Sequence, residues 1–140
     1  MSPRLLAGVL LAALLCPTPT RAAAGVEPAP AERDVTCAEC GMSAKVDSRF
    51  TSRIEQGGSA LYFCDIGDLA AFIERTHPQA YAAAVRDFKS GNWIEAGKAF
   101  FVIDMKVFSS PMGWGVAAFR DREGAPGVPL DFEALRKALR

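Results

Sequence analysis

The chain has 140 residues, half of them hydrophobic, with 16 Lys and Arg against 16 Asp and Glu and a single His. This length accommodates one small domain or two closely packed halves. A net charge of zero with scattered basic residues argues against nucleic acid as a partner. One imidazole also leaves a Ser-His-Asp or Cys-His catalytic arrangement only one candidate base, which disfavours most hydrolase chemistry.

The first 24 residues have the order of a secretory signal peptide. Met1 to Arg4 carries a positive charge, residues 5–15 are an unbroken apolar run, and a short stretch with two prolines ends at Ala22-Ala23-Ala24. An apolar run of this length is too short to span a bilayer, which needs about 20 residues. We therefore expect export to an oxidising compartment. Cys16 leaves a lipid anchor open, although the bulky Leu15 precedes it.

A tether and a β-hairpin are predicted next. Residues 25–33 are rich in proline and alanine without apolar periodicity, which is typical of a flexible tether before a folded domain over residues 34–140. Apolar and polar residues alternate over residues 50–55, and an aromatic-rich segment at residues 60–64 follows Gly57-Gly58. This pattern predicts two strands joined by a tight turn.

One amphipathic helix should follow the hairpin. Apolar residues recur at helical spacing from Ile66 to Ile73, and Asp65 is placed to cap the first turn. The helix is expected to end before Pro78, because proline disfavours the α conformation in the residue that precedes it.

Three strands and a closing helix are predicted in the second half of the chain. Strands are expected over residues 83–88, 99–104 and 116–120, and Asp131 caps a helix within residues 130–139. Trp93, Phe100 and Phe101 are expected in the core. Both halves thus follow the order strand, strand, helix, which favours an α+β fold with helices packed on mostly antiparallel sheet.

Three cysteines remain once the signal peptide is removed, namely Cys37, Cys40 and Cys64. An odd number cannot close by intrachain disulfides, so at least one thiol is free, metal-bound or paired between chains. The C-x-x-C pair fits a disulfide, a dithiol oxidoreductase, half of a zinc site or a soft-metal site. No apolar strand precedes Cys37, which disfavours the oxidoreductase. His77 completes a zinc pattern C-x2-C-x23-C-x12-H, although a histidine at a helix end is more often solvated.

The soft-metal interpretation explains more residues. In an extended segment Cys40 and Met42 project to one face, with Gly41 between them. Met112 lies in a proline- and glycine-rich segment that is unusual for a core methionine, for which hydrophobic packing is the ordinary role. Thiolate and thioether ligands select Cu(I), so Cys40, Met42 and Met112 predict a cuprous site.

Several motifs now follow one another with recognisable spacing, from about Thr36 to Leu135. They are Cys37-x-x-Cys40-Gly41-Met42, Tyr62-Phe63-Cys64-Asp65-Ile66-Gly67, Asp87-Phe88 with Trp93-Ile94-Glu95-Ala96 and Ala99, and Pro111-Met112-Gly113-x-Gly115 with Ala118-Phe119. Together they resemble the NosL family, copper-binding accessory proteins of nitrous oxide reductase. The resemblance is specific, since the C-G-M and P-M-G segments occur as a pair.

The resemblance implies a periplasmic, often lipid-anchored metallochaperone rather than an enzyme. Such a protein binds Cu(I) and passes it to nitrous oxide reductase apoprotein, or to its assembly machinery, during maturation of the copper centres. Motif matching implies Cys40, Met42 and Met112 as copper ligands and Cys37 as a further or alternative ligand. The implied fold is two small packed ββαβ-like halves. A Cys37–Cys40 disulfide would remove the thiolate and silence the site.

Two departures from the family pattern matter. Many relatives carry an F-D-D-I-G-C run, whereas this chain has Phe63-Cys64-Asp65-Ile66-Gly67-Asp68, with the cysteine four places earlier, so Cys64 is the weakest ligand candidate. Cys16 lacks the usual lipoprotein surroundings. Two alternatives remain open: an exported C-x-x-C thiol-disulfide oxidoreductase, and a structural zinc module that uses the three cysteines and His77.

Overall fold

The computed structural model describes residues 34–140, so the predicted signal peptide, Cys16 and the tether at 25–33 lie outside the described residues. The described part contains eight strands and two α-helices, which confirms the α+β class. Their bounds are β1 Asp34–Thr36, β2 Ser43–Lys45, β3 Ser52–Gln56, β4 Ser59–Phe63, α1 Ile66–Thr76, β5 Ala82–Arg86, β6 Trp93–Glu95, β7 Phe100–Ile103, β8 Val116–Phe119 and α2 Phe132–Ala138. Over this range no helix has the length and apolar character needed to cross a membrane.

The strands form three antiparallel sheets. β1 pairs with β2, β7 pairs with β8, and the central sheet has the order β4-β3-β5-β6. The central sheet takes two strands from each half of the chain, because β3 pairs with β5. Single parallel bridges connect the three sheets, one from Cys37 to Tyr62 and one from Asp87 to Ala118.

The predicted hairpin and helices form for the expected local reasons. Gly57 and Gly58 have φ of 58° and 81°, which suits the two-residue turn between β3 and β4. The carboxylate of Asp65 accepts a hydrogen bond from the Gly67 N–H at 3.1 Å and caps α1. The helix ends at His77, in the left-handed region directly before a proline. These predictions are confirmed.

A structural repeat relates the two halves. The turns 37–42 and 87–92 each follow a strand, and in both the N–H of the first residue donates to the carbonyl of the sixth at 2.8 Å. Each turn has a glycine at its fifth position, Gly41 or Gly91, with φ of 76° or 75°. Each half therefore runs strand, turn, strand, hairpin, helix. The order in each half is therefore ββββα, where the resemblance implied ββαβ-like halves, and the sequence did not predict the three-residue strands β1, β2 and β6.

The core lies between the helices and the inner face of the central sheet. Its largest fully buried side chains include Ile54, Phe63, Leu69, Val85, Phe101 and Leu135. The expectation that Trp93 belongs to this core is wrong. Strand alternation turns its neighbour Ile94 inward, so the Trp93 ring lies on the opposite face, with the guanidinium carbons of Arg53 and Arg86 at 4.8 and 4.0 Å from its centre.

One ionic cluster connects the two helices. The carboxylate of Glu74 in α1 accepts hydrogen bonds from Nε of Arg136 in α2 at 2.8 Å and from Nε of Arg140 at 2.7 Å. Arg140 first, and Arg136 next, hold the pKa of Glu74 below its usual value. A carboxyl group whose pKa is lower in the folded chain stabilises the fold above its unfolded pKa, about 4.3 for Glu. That contribution is lost as the pH falls through the folded pKa.

We therefore expect Glu74→Gln to lower the free energy of unfolding at neutral pH, and the difference from wild type to shrink at a pH of about 3. Urea denaturation at both pH values measures this. Glu133→Gln, which breaks only an exposed pair with Lys137, serves as a control and should have a smaller effect. A wild-type advantage of equal size at both pH values contradicts the assignment.

Candidate metal centre

The C-x-x-C segment lies in the first of the two repeated turns. Cys37 follows β1 directly, is 1% exposed, and donates its N–H to the carbonyl of Met42. Residues 38–40 form the turn, and Gly41 adopts a positive φ. The segment is therefore not extended, and the alternation used to place Cys40 and Met42 on one face does not apply. The turn instead directs Cys40 toward the start of α1, as its sulfur contacts there show.

Cys64 joins the same site from the junction of β4 and α1. It precedes the N-cap residue Asp65 and is 2% exposed. Four residues later, in the first turn of α1, Asp68 is 3% exposed, and Cys64 Sγ donates to its Oδ2 at 3.3 Å. The ligand atoms of Cys37, Cys40, Cys64 and Asp68 all lie within 4.8 Å of one another. We refer to these four residues as the thiol cluster.

Asp68 is the hydrogen-bonding centre of the thiol cluster. Its Oδ2 accepts from Sγ of Cys37 at 3.4 Å as well as from Cys64, and its Oδ1 accepts from Nε1 of Trp114 at 2.9 Å. Sγ of Cys40 lies 3.5 Å from Sγ of Cys64. One carboxylate thus fixes the orientation of both fully buried thiols.

The surroundings of Cys40 and Cys64 favour the protonated thiols over the thiolates. Burial, together with the hydrogen bond to Asp68, raises the pKa of Cys64 well above the usual thiol range. Burial also raises the pKa of Cys40, although a backbone hydrogen bond at Met42 opposes this. A metal ion that binds here must displace these protons, so metal binding and proton release are coupled.

Trp114 covers one side of the thiol cluster. A Cβ atom at Gly67 would lie 2.0 Å from Cγ of Trp114, so glycine is required for the indole to lie against the first turn of α1. The indole is half-buried and donates to Asp68. Trp114 therefore closes part of the site in addition to packing against the main core.

Both predicted methionine ligands are attached to the frame of the thiol cluster through their backbones. The Met112 N–H donates to Oδ2 of Asp65 at 3.1 Å, and the Met42 carbonyl accepts from Cys37. Their side chains are 41% and 45% exposed, so neither fills the core. The two thioethers therefore remain available at the surface.

Two findings change the predicted ligand set. His77 lies beyond the far end of α1, whose 11 residues extend about 16 Å, so it is far from Cys64 and outside the thiol cluster. The zinc pattern with His77 as fourth ligand is therefore wrong. Asp68, which the sequence did not single out, is the fourth member of the thiol cluster. Its position four residues after Cys64 at the start of a predicted helix was the available signal.

The donor set fits a soft metal ion. Three thiols become strong soft ligands on deprotonation, and neutral thioethers at Met42 and Met112 lie in segments bonded to the same frame. Thiolates bind both Cu(I) and Zn²⁺, whereas thioethers are ligands of Cu(I) and not of typical zinc sites. The described donor set therefore suits a soft metal ion.

We expect mild oxidation to join Cys40 to Cys64 rather than to Cys37. Cys40 is the most exposed of the three thiols, and its Sγ lies 3.5 Å from Sγ of Cys64. Exchange with oxidised glutathione would form one protein disulfide and release two reduced glutathione molecules. Peptide mapping by mass spectrometry identifies the linkage, and Cys64→Ser is the control that removes it. A predominant Cys37–Cys40 linkage in wild type contradicts this assignment.

Comparison with known proteins identifies a family for this chain. No curated protein and no solved structure is significantly similar to the chain. A family model described as NosL matches residues 28–127, well over half of the chain and the whole of the thiol cluster. NosL is an accessory family associated with copper and not a known enzyme family. The chain belongs to the NosL family.

Proposed function

We propose that this chain is a periplasmic Cu(I) chaperone that supplies copper for the maturation of nitrous oxide reductase. The observation that carries the proposal is the convergence of Cys37, Cys40 and Cys64 within 4.8 Å in a chain of a copper-associated family. The acceptor is the reductase apoprotein or its assembly machinery. The proposal includes export directed by the N-terminal segment. It also includes a membrane tether if Cys16 is lipidated.

The three thiols would hold the copper ion. Two of them, Cys37 and Cys64, are already oriented by the carboxylate of Asp68. Because a carboxylate is a hard donor, we assign Asp68 to positioning the thiols rather than to binding Cu(I). Met42 and Met112 would supply additional soft contacts at the exposed edge of the site.

The difference in exposure among the three cysteines supports one side of the site as the exit for copper. Cys37 and Cys64 are 1% and 2% exposed, while Cys40 is only half-buried. An incoming soft ligand from a partner can therefore reach copper on the side of Cys40. Cu(I) accepts low coordination numbers, so transfer through shared ligands avoids release of the free ion.

Thiol chemistry supports this proposal over a dithiol oxidoreductase. A reactive C-x-x-C catalyst needs a thiol whose pKa is lowered, commonly at a helix N-terminus or beside a cation. Burial raises the pKa of Cys40 here, and its motif lies in a turn between two short strands. The site therefore favours metal storage and exchange over disulfide catalysis.

Core packing supports the proposed copper chaperone over a structural zinc module. The main cluster of buried side chains joins both helices to the central sheet and extends well beyond the metal centre. We expect the metal-free protein to stay folded, because this apolar contact persists without an ion. A structural site would instead unfold when its metal is removed.

The proposal predicts direct copper transfer. Reduced protein loaded with one equivalent of Cu(I) should pass copper to copper-free nitrous oxide reductase when the two are mixed anaerobically. Across a dialysis membrane, where the proteins cannot touch, transfer should be far slower. Copper in each protein after separation is measured by atomic absorption.

Two variants sharpen this test. Cys40→Ser should lose transfer, while His77→Ala, outside the thiol cluster, should match wild type. Equal transfer with and without contact, or wild-type transfer by Cys40→Ser, contradicts the proposed function.

A further inference from the structure

One face of α1 lies beside the turn 37–42. Asp68, Phe72 and Arg75 are spaced by four and by three residues, so their side chains point to the same side of the helix. Seven residues of helix advance about 10 Å, which separates Asp68 in the first turn from Arg75 in the last. The guanidinium carbon of Arg75 lies 5.6 Å from the centre of the Phe72 ring, which keeps this side chain against the face. The turn 37–42 contacts the face near both ends.

The two contacts differ in chemistry and in exposure. Near the start of the helix, Sγ of Cys37 donates to Oδ2 of Asp68 at 3.4 Å, and both residues are buried. Near its end, Nη2 of Arg75 donates to Oε2 of Glu39 at 2.6 Å, and the two side chains are 58% and 22% exposed. The turn is therefore held at a second point on α1 by an ion pair.

Glu39 is the chain neighbour of Cys40, the thiol on the side where copper is proposed to leave. The thiol hydrogen bonds that Oδ2 of Asp68 accepts come from the other two cysteines, and Sγ of Cys40 lies 3.5 Å from Sγ of Cys64. The position of Cys40 therefore depends on the turn that carries it. One planar peptide bond joins Glu39 to Cys40, so an ion pair that fixes Glu39 against α1 also limits how far the Cys40 thiol can move.

We propose that the ion pair between Glu39 and Arg75 is a positioning contact, which keeps Cys40 in the thiol cluster and slows the loss of bound Cu(I). This inference rests on the proposed function and adds what controls the rate of exchange. When the pair separates, the Cys40 end of the turn is free to move away from α1, while the buried Cys37 and Cys64 retain the ion. Cu(I) accepts low coordination numbers, so the vacated position is open to a ligand from a partner.

Release kinetics test the role of the ion pair. Glu39→Gln and Arg75→Gln should each speed the loss of Cu(I) to a chromophoric chelator about two- to fivefold, the range that one part-exposed ion pair allows. Arg75→Lys keeps the charge that makes this contact and should stay close to the wild-type rate. Glu133→Gln breaks an exposed ion pair outside the thiol cluster and is the matched control, with a wild-type rate.

The two glutamine variants also separate positioning from a direct effect of charge on Cys40. Removing the carboxylate of Glu39 favours a thiolate at Cys40, whereas removing the guanidinium of Arg75 disfavours it. An effect of charge alone would therefore change the two release rates in opposite directions. Loss of a shared contact raises both rates, and the double variant should release copper no faster than the faster single variant.

Access to Cys40 gives a second readout, on the metal-free protein. Alkylation of the reduced protein with iodoacetamide, located by mass spectrometry, should be faster at Cys40 in both glutamine variants than in wild type. The free energy of unfolding should change little, because an exposed ion pair contributes little to global stability.

The outcomes separate the two proposals. If either glutamine variant releases copper at the wild-type rate, if the two rates change in opposite directions, or if alkylation of Cys40 is unchanged, the role of the ion pair is overturned and the proposed function stands. If the wild-type protein binds no Cu(I), the proposed function itself falls.

Discussion

The carboxylate of Asp68 connects the two fully buried thiols of the candidate site with the indole that covers it. It accepts hydrogen bonds from two buried thiols and from the indole of Trp114. Three segments distant in sequence thereby meet at the first turn of α1: the turn 37–42, the junction of β4 and α1, and the segment that carries Met112. Because a buried carboxylate needs hydrogen-bond donors, folding itself draws the thiols together. The site is thus shaped before any metal arrives.

Cys64 and Asp68 stand in the order opposite to the one that the family resemblance implies. Where many relatives have aspartate and then cysteine four residues later, this chain has Cys64 and then Asp68. Positions four apart at a helix start lie on one side, and the two side chains contact each other at 3.3 Å. In this chain the spacing brings one thiol and one carboxylate to the turn 37–42. Cys64, the weakest ligand candidate in the sequence, therefore becomes a full member of the thiol cluster.

Local signals predicted much of the fold and little of the site. The hairpin, both helices and their aspartate caps follow from alternation, helical spacing and Pro78, which act within a few residues. The three-residue strands β1, β2 and β6 are too short to show an alternating pattern, so periodicity could not reveal them. The sequence identified the cysteines as candidate metal ligands. Only the tertiary structure shows that Asp68 lies beside them and that His77 lies outside the thiol cluster. The repeated turn was not evident in the sequence, because Cys37 and Asp87 occupy equivalent places with different chemistry.

The central claim is that Cys64 completes a three-thiol copper site. An anaerobic competition titration of the reduced protein against a chromophoric Cu(I) chelator tests it most directly, with Cys64→Ser, Met42→Leu and Met112→Leu measured beside wild type. The account predicts one tightly bound Cu(I) per wild-type chain and a loss of affinity in Cys64→Ser at least as large as in either methionine variant. Wild-type affinity in Cys64→Ser would contradict it and leave copper to the Cys40, Met42 and Met112 set alone.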